Sequence, residues 1–299
     1  MQSISFRSNN QTNRLNEKRN AKTNPQAEIL SKAAGIGAAG AVGLYGSYPV
    51  NIKLMKLMSA KNTELTESEV KQTVNAFEKA FQKSGLKDKV KVVYFDKNTT
   101  FPGLPQAHVK QLQNGQNAFF EMISNSMLLP KDKLTLNWFH EMGHAMNKNL
   151  GKISKALQMT RIPLMYASIF TCFSGIWGKS TPDKNGTLTP FQRAKNFAID
   201  NIGLITFGLF SPTIIEEYIA THKGEKLAKG ILPEDLLKKV KTTNRLGFAT
   251  YVVMGSMLAL GAVLGRNVTN MMRKRLDNKT PEEPRTSNNK TNKNRKYKN

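Results

Sequence analysis

The sequence contains a single cysteine, Cys172, so no internal disulfide can form and an intracellular setting remains open. Acidic residues are also few, because 21 Asp and Glu stand against 45 Lys and Arg and leave a formal charge of +24. A charge of this size suits nucleic acid or an anionic membrane surface. The basic residues, however, collect in tails that are rich in Asn and poor in aromatic residues, so we expect no nucleic-acid binding.

The beginning of the chain lacks the apolar core of a signal peptide, since residues 1–28 are polar and rich in Asn, Arg and Lys. Residues 266–299 have a similar composition. Segments of this kind cannot bury enough apolar surface to offset the entropy of ordering. We therefore expect 1–28 and 266–299 to be disordered basic tails.

Four apolar segments between the tails approach the length that crosses a bilayer, about 20 residues of helix. They are 29–52, 162–178, 196–215 and 246–265, and only 196–215 carries an acid, Asp200. The sequence therefore predicts an integral membrane protein, with the lipid bilayer as its first partner.

The first segment, 29–52, differs from the others because it is rich in Gly and Ala. Its glycines recur at spacings that would let a second helix approach closely, as a small-residue face does. They are Gly35, Gly37, Gly40, Gly43 and Gly46. The alternative is a flexible linker.

The clearest chemical signal is the HExxH motif formed by His140, Glu141 and His144. On a helix, residues four apart share a face, so the two imidazoles would point at one metal ion. Glu141 between them would take a proton from a water that zinc activates. The motif predicts a Zn²⁺ site with His140 and His144 as ligands and Glu141 as the catalytic general base.

A catalytic zinc needs a third protein ligand, and the spacing excludes the two best-known soluble arrangements. No acid occurs between Glu141 and Asp183, and Leu150 stands where a third histidine would be needed. Three candidates remain: Glu217, Asp200 and His222. If all four apolar segments span the membrane, the HExxH motif and Glu217 lie on the same side.

The stretch from Glu217 to Ala220 follows the motif across two apolar segments, and here the chain resembles the HtpX-like and CAAX-prenyl-protease family of membrane zinc endopeptidases. The resemblance implies that Glu217 completes the zinc site, that the active site faces the cytoplasm, and that the protein lies in the cell (inner) membrane. The short strand beginning Asn117-Ala118-Phe119 also resembles that family, and a strand just before a zinc helix can form the lip of a substrate cleft. One departure is Thr221, which stands where the family has Asp and puts support of a ligand in doubt.

Strand-forming residues at Val90–Phe95, 117–123 and 126–129 precede the motif, and Thr66 with Glu69 predicts a capped helix before them. We therefore predict a mainly α integral membrane protein with a small zincin-like α+β domain, a short hairpin or sheet plus the HExxH helix. The domain covers 53–245 and includes the membrane helices 162–178 and 196–215.

These features predict a membrane-bound zinc metalloendopeptidase acting on a peptide or membrane-protein substrate. The substrate would lie extended against strand residues Asn117, Ala118 and Phe119, with His222 near the developing oxyanion. Two other kinds of membrane protein remain possible: a non-catalytic scaffold with a degenerate zincin fold, and an intramembrane site-2-type protease that uses Asp200. A soluble zinc hydrolase, in which the shorter apolar segments are core helices, is a third.

Overall fold

The computed structural model describes residues 25–183 and 185–277, which form a mainly helical protein with one small sheet. Its helices are α1 (Pro25–Ala39), α2 (Tyr48–Thr63), α3 (Glu67–Lys83), α4 (Gln106–Gln113), α5 (Trp138–Leu150), α6 (Lys152–Ser174), α7 (Pro190–Asp200), α8 (Ile202–Lys229) and α9 (Glu234–Asp277). The strands are β1 (Lys91–Phe95), β2 (Phe119–Glu121) and β3 (Ser126–Pro130). The predicted combination of many helices with a small sheet is confirmed.

Three helical segments of the described chain are long and apolar enough to cross a membrane. They are Pro25–Thr63, which joins α1 to α2 through a π-helical turn at Gly40–Leu44, then α8, and Glu234–Leu276 within α9. Segments 29–52 and 246–265 lie within the first and last of these, so membrane association is supported at both ends of the described chain.

The expected span 162–178 is not among these membrane-length segments. Helix α6 ends at Ser174 and carries Lys152, Lys155 and Arg161 in its first half. Its apolar part is therefore only about 20 Å long at 1.5 Å per residue, short of a hydrocarbon core of about 30 Å.

The predicted helix 196–215 is divided in the structure. Helix α7 ends at Asp200, where the side chain of Asn201 donates to the carbonyl of Phe197 at 2.9 Å. Helix α8 then runs from Ile202 as far as Lys229. The second membrane-length segment, α8, therefore carries the Glu217 region within it, beyond the end of the predicted span.

The two tails were predicted to be disordered, and the described parts of them are helical. Residues 25–28 belong to α1, where Glu28 pairs with Lys32 at 2.7 Å, and residues 266–277 extend α9. The predictions for 1–24 and 278–299 fall outside the described residues.

Glycines of the first segment do allow a close helix approach, and the partner is α9. A Cβ on Gly35 would lie 1.9 Å from Thr269 Oγ1, and one on Gly261 would lie 2.6 Å from Gly43 Cα. A Cβ on Gly37 would meet nothing within 4 Å. The helix interpretation of this segment is thus confirmed, with only some of its glycines in the contact.

The sheet and the metal-motif helix share one core. Strand β3 lies in the centre, parallel to β1 and antiparallel to β2, so β2 is an edge strand. The largest side chains buried between the sheet, α3 and α5 are Phe77, Trp138, Phe139 and Met142. The predicted capping box is present, with Thr66 Oγ1 accepting from the amide of Glu69 at the start of α3.

Helix α2 fixes where α5 begins. The side chain of Asn62, at the end of α2, accepts from the amide of Leu136 at 3.1 Å and donates to Asn137 Oδ1 at 3.0 Å. Trp138 then starts α5 directly after a 3-10 turn. The first membrane segment is therefore joined to the HExxH helix by specific hydrogen bonds.

Candidate metal centre

The two histidines of α5 and one carboxylate of α8 converge on a single point. Nε2 of His140 lies 3.0 Å from Nε2 of His144. Glu217 Oε2 lies 3.1 Å from the first nitrogen and 3.4 Å from the second. The predicted set of His140, His144 and Glu217 is therefore brought together, and it could hold a metal ion.

The spacing of these three atoms fits a metal. Ligands about 2.0–2.1 Å from a tetrahedral ion lie roughly 3.3 Å from one another, close to the three distances found. Glu217 is fully buried, and its Oε2 has no hydrogen-bond partner among the described residues. A cation between the three atoms would satisfy that oxygen.

The hydrogen bonds of His144 also indicate that its Nε2 is available to a cation. Its Nδ1 lies 2.9 Å from Glu216 Oε1, and an ionised carboxylate can only accept, so the proton is on Nδ1. In the neutral ring, Nε2 then presents a lone pair towards Glu217. Burial opposes charge on His144, but Glu217 and Glu216 outweigh it and raise its pKa well above the usual value. The site therefore attracts a cation, whether proton or metal, to Nε2.

Two glycines allow α5 and α8 to approach closely enough for this geometry. A Cβ on Gly143 would lie 1.9 Å from the carbonyl oxygen of Ala220, and one on Gly224 would lie 2.1 Å from the carbonyl oxygen of Phe139. Both distances are shorter than any real Cβ contact. The backbones of the two helices are thus in contact beside the ligands, which places Glu217 within reach of the imidazoles.

Glu216 orients His144 and is itself held from two other elements. Asn147 Nδ2 donates to Glu216 Oε1 at 2.8 Å, and Arg161 Nη1 donates to Oε2 at 2.8 Å. A carboxylate behind a ligating imidazole fixes the ring and increases its basicity. Glu216 therefore has the environment of a supporting carboxylate.

Thr221 occupies the corresponding position behind His140. Its Oγ1 lies 3.2 Å from Nδ1 of His140, within hydrogen-bonding distance. The hydroxyl can accept from Nδ1–H and leave Nε2 free to face Glu217. Thr221 thus contacts the far side of one of the two motif histidines.

Arg161 joins the two buried carboxylates. Its Nη2 lies 2.7 Å from Glu217 Oε1, while Nη1 binds Glu216, and its Cζ lies 5.7 Å from the centroid of the Tyr251 ring. Burial opposes charge on Arg161, but Glu217, Tyr251 and Glu216 outweigh it and raise its pKa further above the usual value. A permanently charged side chain therefore compensates the acids from α6.

Glu141 lies on the side of the centre that faces the sheet. Its Oε2 accepts from the amide of Phe120 in edge strand β2 at 2.8 Å, and the side chain is buried. Burial raises the pKa of Glu141, although the neighbouring histidines oppose the shift. The carboxylate therefore stands beside the ligands without being one of them.

A cleft of about 530 Å³ opens onto these groups. Of the predicted substrate-binding residues, Asn117, Ala118 and Phe119 line it, together with His140, Glu141 and His144. His222 does not line it; it is exposed and stacks on Tyr218 with ring centroids 6.3 Å apart. His108, for which the sequence indicates no role, does line the cleft, 5.9 Å from the Phe119 ring.

Asp200 is far from the histidines. It pairs with Lys179 at 2.6 Å and with Arg266 at 2.8 Å, and about half of its side chain is exposed. About 15 residues of α8 separate its neighbour Ile202 from Glu217, or roughly 22 Å. Asp200 was one of three candidates for the third ligand, and the structure does not bring it to the histidines.

Four residues of this centre were missed by the sequence analysis: Asn147, Arg161, Glu216 and Tyr251, the last of which lines the cleft and interacts with Glu217. The only available signal was position, because Glu216 precedes Glu217 and Asn147 lies one turn after His144 on the same helix. Arg161 and Tyr251 carry no such signal.

No known protein family, curated protein or solved structure matches this chain. The geometry of the centre and the residues of the motif are therefore what point to a function. Both concern the same four side chains, His140, Glu141, His144 and Glu217.

Proposed function

We propose that the protein is a membrane-bound zinc metalloendopeptidase whose catalytic unit is a zincin-like domain built on α5, α8 and the sheet. The observation that carries this proposal is the convergence of His140, His144 and Glu217 within 3.4 Å of one another, with both histidines and Glu141 lining one cleft. The resemblance to the HtpX-like and CAAX-prenyl-protease family, with its cytoplasm-facing site in the cell (inner) membrane, agrees with this assignment.

The donor set favours zinc over the common hard cations. Two imidazoles and one carboxylate form a typical hydrolytic zinc set, which leaves a fourth position for water. Mg²⁺ and Ca²⁺ select oxygen ligands almost entirely. Because His140, His144 and Glu217 supply two nitrogens and one oxygen, Zn²⁺ is the ion we propose.

Bound at this centre, Zn²⁺ would supply a Lewis acid that lowers the pKa of water and polarises a carbonyl. Glu141 takes the proton of the attacking water and later gives it to the leaving amine. The amide of Phe120 holds the Glu141 carboxylate at 2.8 Å, on the sheet side of the cleft. Glu216, Thr221 and Arg161 keep the histidines and Glu217 in place.

The substrate we propose is an extended peptide segment of a membrane or misfolded protein. In the described chain β2 pairs only with β3, so an extended peptide can lie along its outer side, where the amide of Phe120 is held by Glu141. Asn117, Ala118 and Phe119 lie along that edge of the cleft. Helices long enough to cross the bilayer bring this edge to the membrane, where such substrates occur.

Metal content of the detergent-purified protein tests the first part of the proposal. We expect about one zinc per chain in the wild type and almost none in Glu217→Ala or His140→Ala, because three ligands are required. Glu225→Ala is the matched control, since it removes a carboxylate from the same helix outside the metal group and should keep the zinc. Zinc retained in Glu217→Ala at wild-type affinity would refute the ligand assignment.

Hydrolysis tests the second part. Glu141→Gln should keep its zinc and cleave an unfolded protein substrate at least about 100-fold more slowly, because positioned acid–base groups contribute 10²–10⁴-fold. Cleavage at the wild-type rate by this variant would exclude Glu141 as the general base. A wild-type protein that holds zinc and cleaves no unfolded or membrane-protein substrate would instead favour the non-catalytic scaffold.

A further inference from the structure

A second site lies at the other end of the membrane helices, where a small pocket of about 250 Å³ collects three cations. We call it the basic pocket; it is lined by Lys179, Arg266 and Arg273, with Asn270 and the backbone of Gly175 and Gly178. Among residues 25–183 and 185–277, Asp200 is the acid that forms salt bridges with these cations, and it pairs with both Lys179 and Arg266. The pocket therefore has an excess of positive charge.

The three cations differ in how they are used. Arg266 donates to the carbonyl oxygens of Ile199 and Asp200 at 2.8 and 3.2 Å, so it caps the end of α7. Arg273 lies across Gly178, where a Cβ would come within 3.3 Å of its Nη1. The Nε of Arg273 is buried and has no hydrogen-bond partner among the described residues. Arg273 and Lys179 thus have donors left for a ligand.

The level of the pocket along the helices matches a membrane boundary. Arg266 is the first charge after the uncharged run 246–265 of α9, and α8 begins beside Asp200, so the apolar parts of two membrane-length helices end at this level. Exposed aromatic side chains surround this level, among them Phe170, Trp177 and Phe197. Aromatic residues concentrate where lipid headgroups meet the hydrocarbon core.

From this arrangement we infer that the basic pocket binds the phosphate of an anionic phospholipid headgroup. A guanidinium presents paired N–H donors that match phosphate oxygens, and Lys adds a point charge. A pocket with this excess of positive charge between membrane-length helices suits the negative charge of such a headgroup. Glu28 of α1 attracts Arg273 electrostatically, but its carboxylate already forms a salt bridge with Lys32 at 2.7 Å. The positive charge of the pocket therefore remains.

The basic pocket is separate from the metal centre. Tyr251 of the cleft lies about 15 residues before Arg266 on α9, which is roughly 22 Å along the helix. Ligand binding at the basic pocket can therefore be tested without any peptidase activity.

Native mass spectrometry of the full chain in detergent provides the test, with phosphatidylglycerol and phosphatidylcholine titrated separately. The wild type should bind phosphatidylglycerol more tightly, and Arg273→Gln and Lys179→Gln should each weaken that binding about tenfold or more, because each removes a charge-assisted contact. Lys274→Gln is the matched control, since it removes a charge from the next residue of α9, which is exposed and does not line the pocket. Having two variants on different elements keeps the test valid if one of them does not fold.

A parallel arm adds inorganic phosphate without lipid. If phosphate alone binds the wild type as tightly as phosphatidylglycerol does and loses affinity in Arg273→Gln, the ligand is a soluble anion and the lipid assignment is overturned. Equal affinity of the wild type and both pocket variants for phosphatidylglycerol would overturn the site itself.

Discussion

Replacement of Gly143 by alanine should disable the metal centre without touching a ligand. The new Cβ would lie 1.9 Å from the carbonyl oxygen of Ala220, whereas real Cβ contacts essentially never fall under 3.0 Å. Helices α5 and α8 must therefore separate by about 1 Å or more, at a cost typical of overpacking, about 1–3 kcal/mol. A shift of that size takes Glu217 Oε2 from 3.1 and 3.4 Å to roughly 4 Å from the two nitrogens, outside tetrahedral ligand spacing.

Competition with a fluorescent zinc chelator measures the effect. We expect the zinc affinity of Gly143→Ala to fall about 10- to 100-fold, the range seen when the support of a metal ligand is lost. The thermal midpoint of the metal-free protein should fall as well, since the clash is present with or without the ion.

Gly208→Ala is the matched control for this experiment. It makes the same chemical change on α8, but its Cβ would meet nothing within 4 Å. Alanine is favoured over glycine inside a helix by about 0.5–1 kcal/mol, so this variant should be as stable as the wild type or more so. If Gly143→Ala binds zinc as tightly as Gly208→Ala does, the argument from helix contact is wrong.

Three further predictions follow from contacts around the centre and along the membrane helices. Thr221→Val should weaken zinc binding about 10- to 100-fold and Thr221→Ser should restore it, as judged by chelator competition, because the hydroxyl supports His140. Arg161→Met should lower the unfolding free energy of the metal-free protein by about 3–5 kcal/mol, since it leaves buried acids uncompensated; an unchanged urea midpoint would contradict this. Gly261→Leu should lower the thermal midpoint in detergent while Gly37→Leu leaves it unchanged, because a Cβ at Gly261 meets Gly43 and Ala39 whereas one at Gly37 meets nothing within 4 Å. Equal midpoints for the two leucine variants would show that this contact does not hold the helices together.

Local signals of the sequence correctly predicted several elements of the fold. The Thr66 capping box forms at the start of α3, and the strand-rich segments form a sheet whose edge strand faces the HExxH helix. These features depend on side-chain period and on hydrogen bonds a few residues apart, which are present in any short stretch of sequence. The pairing of His140 with His144 is a local feature of the same kind, because the two residues lie four positions apart on one helix.

Contacts between distant helices could not be predicted in this way. Arg161 directly precedes the uncharged run 162–178, yet its side chain turns inward to pair with Glu216 and Glu217. Counting apolar residues cannot separate a charge at a lipid boundary from one that is compensated within a bundle. The same count joined residues on both sides of Asn201 into one span, although the Asn201 side chain closes α7 there.

The pairing of α1 with α9 has a consequence for how the chain is assembled during synthesis. The first helix of the described chain emerges from the ribosome long before Gly261 and Gly265, the residues against which its glycines pack. A nascent chain that stops before Glu234 therefore has His140, His144 and Glu217 but no Tyr251 and no α9 to hold the Gly-rich helix. The cleft wall at Tyr251 and the seat of the Gly-rich helix should accordingly form only after α9 has been synthesised.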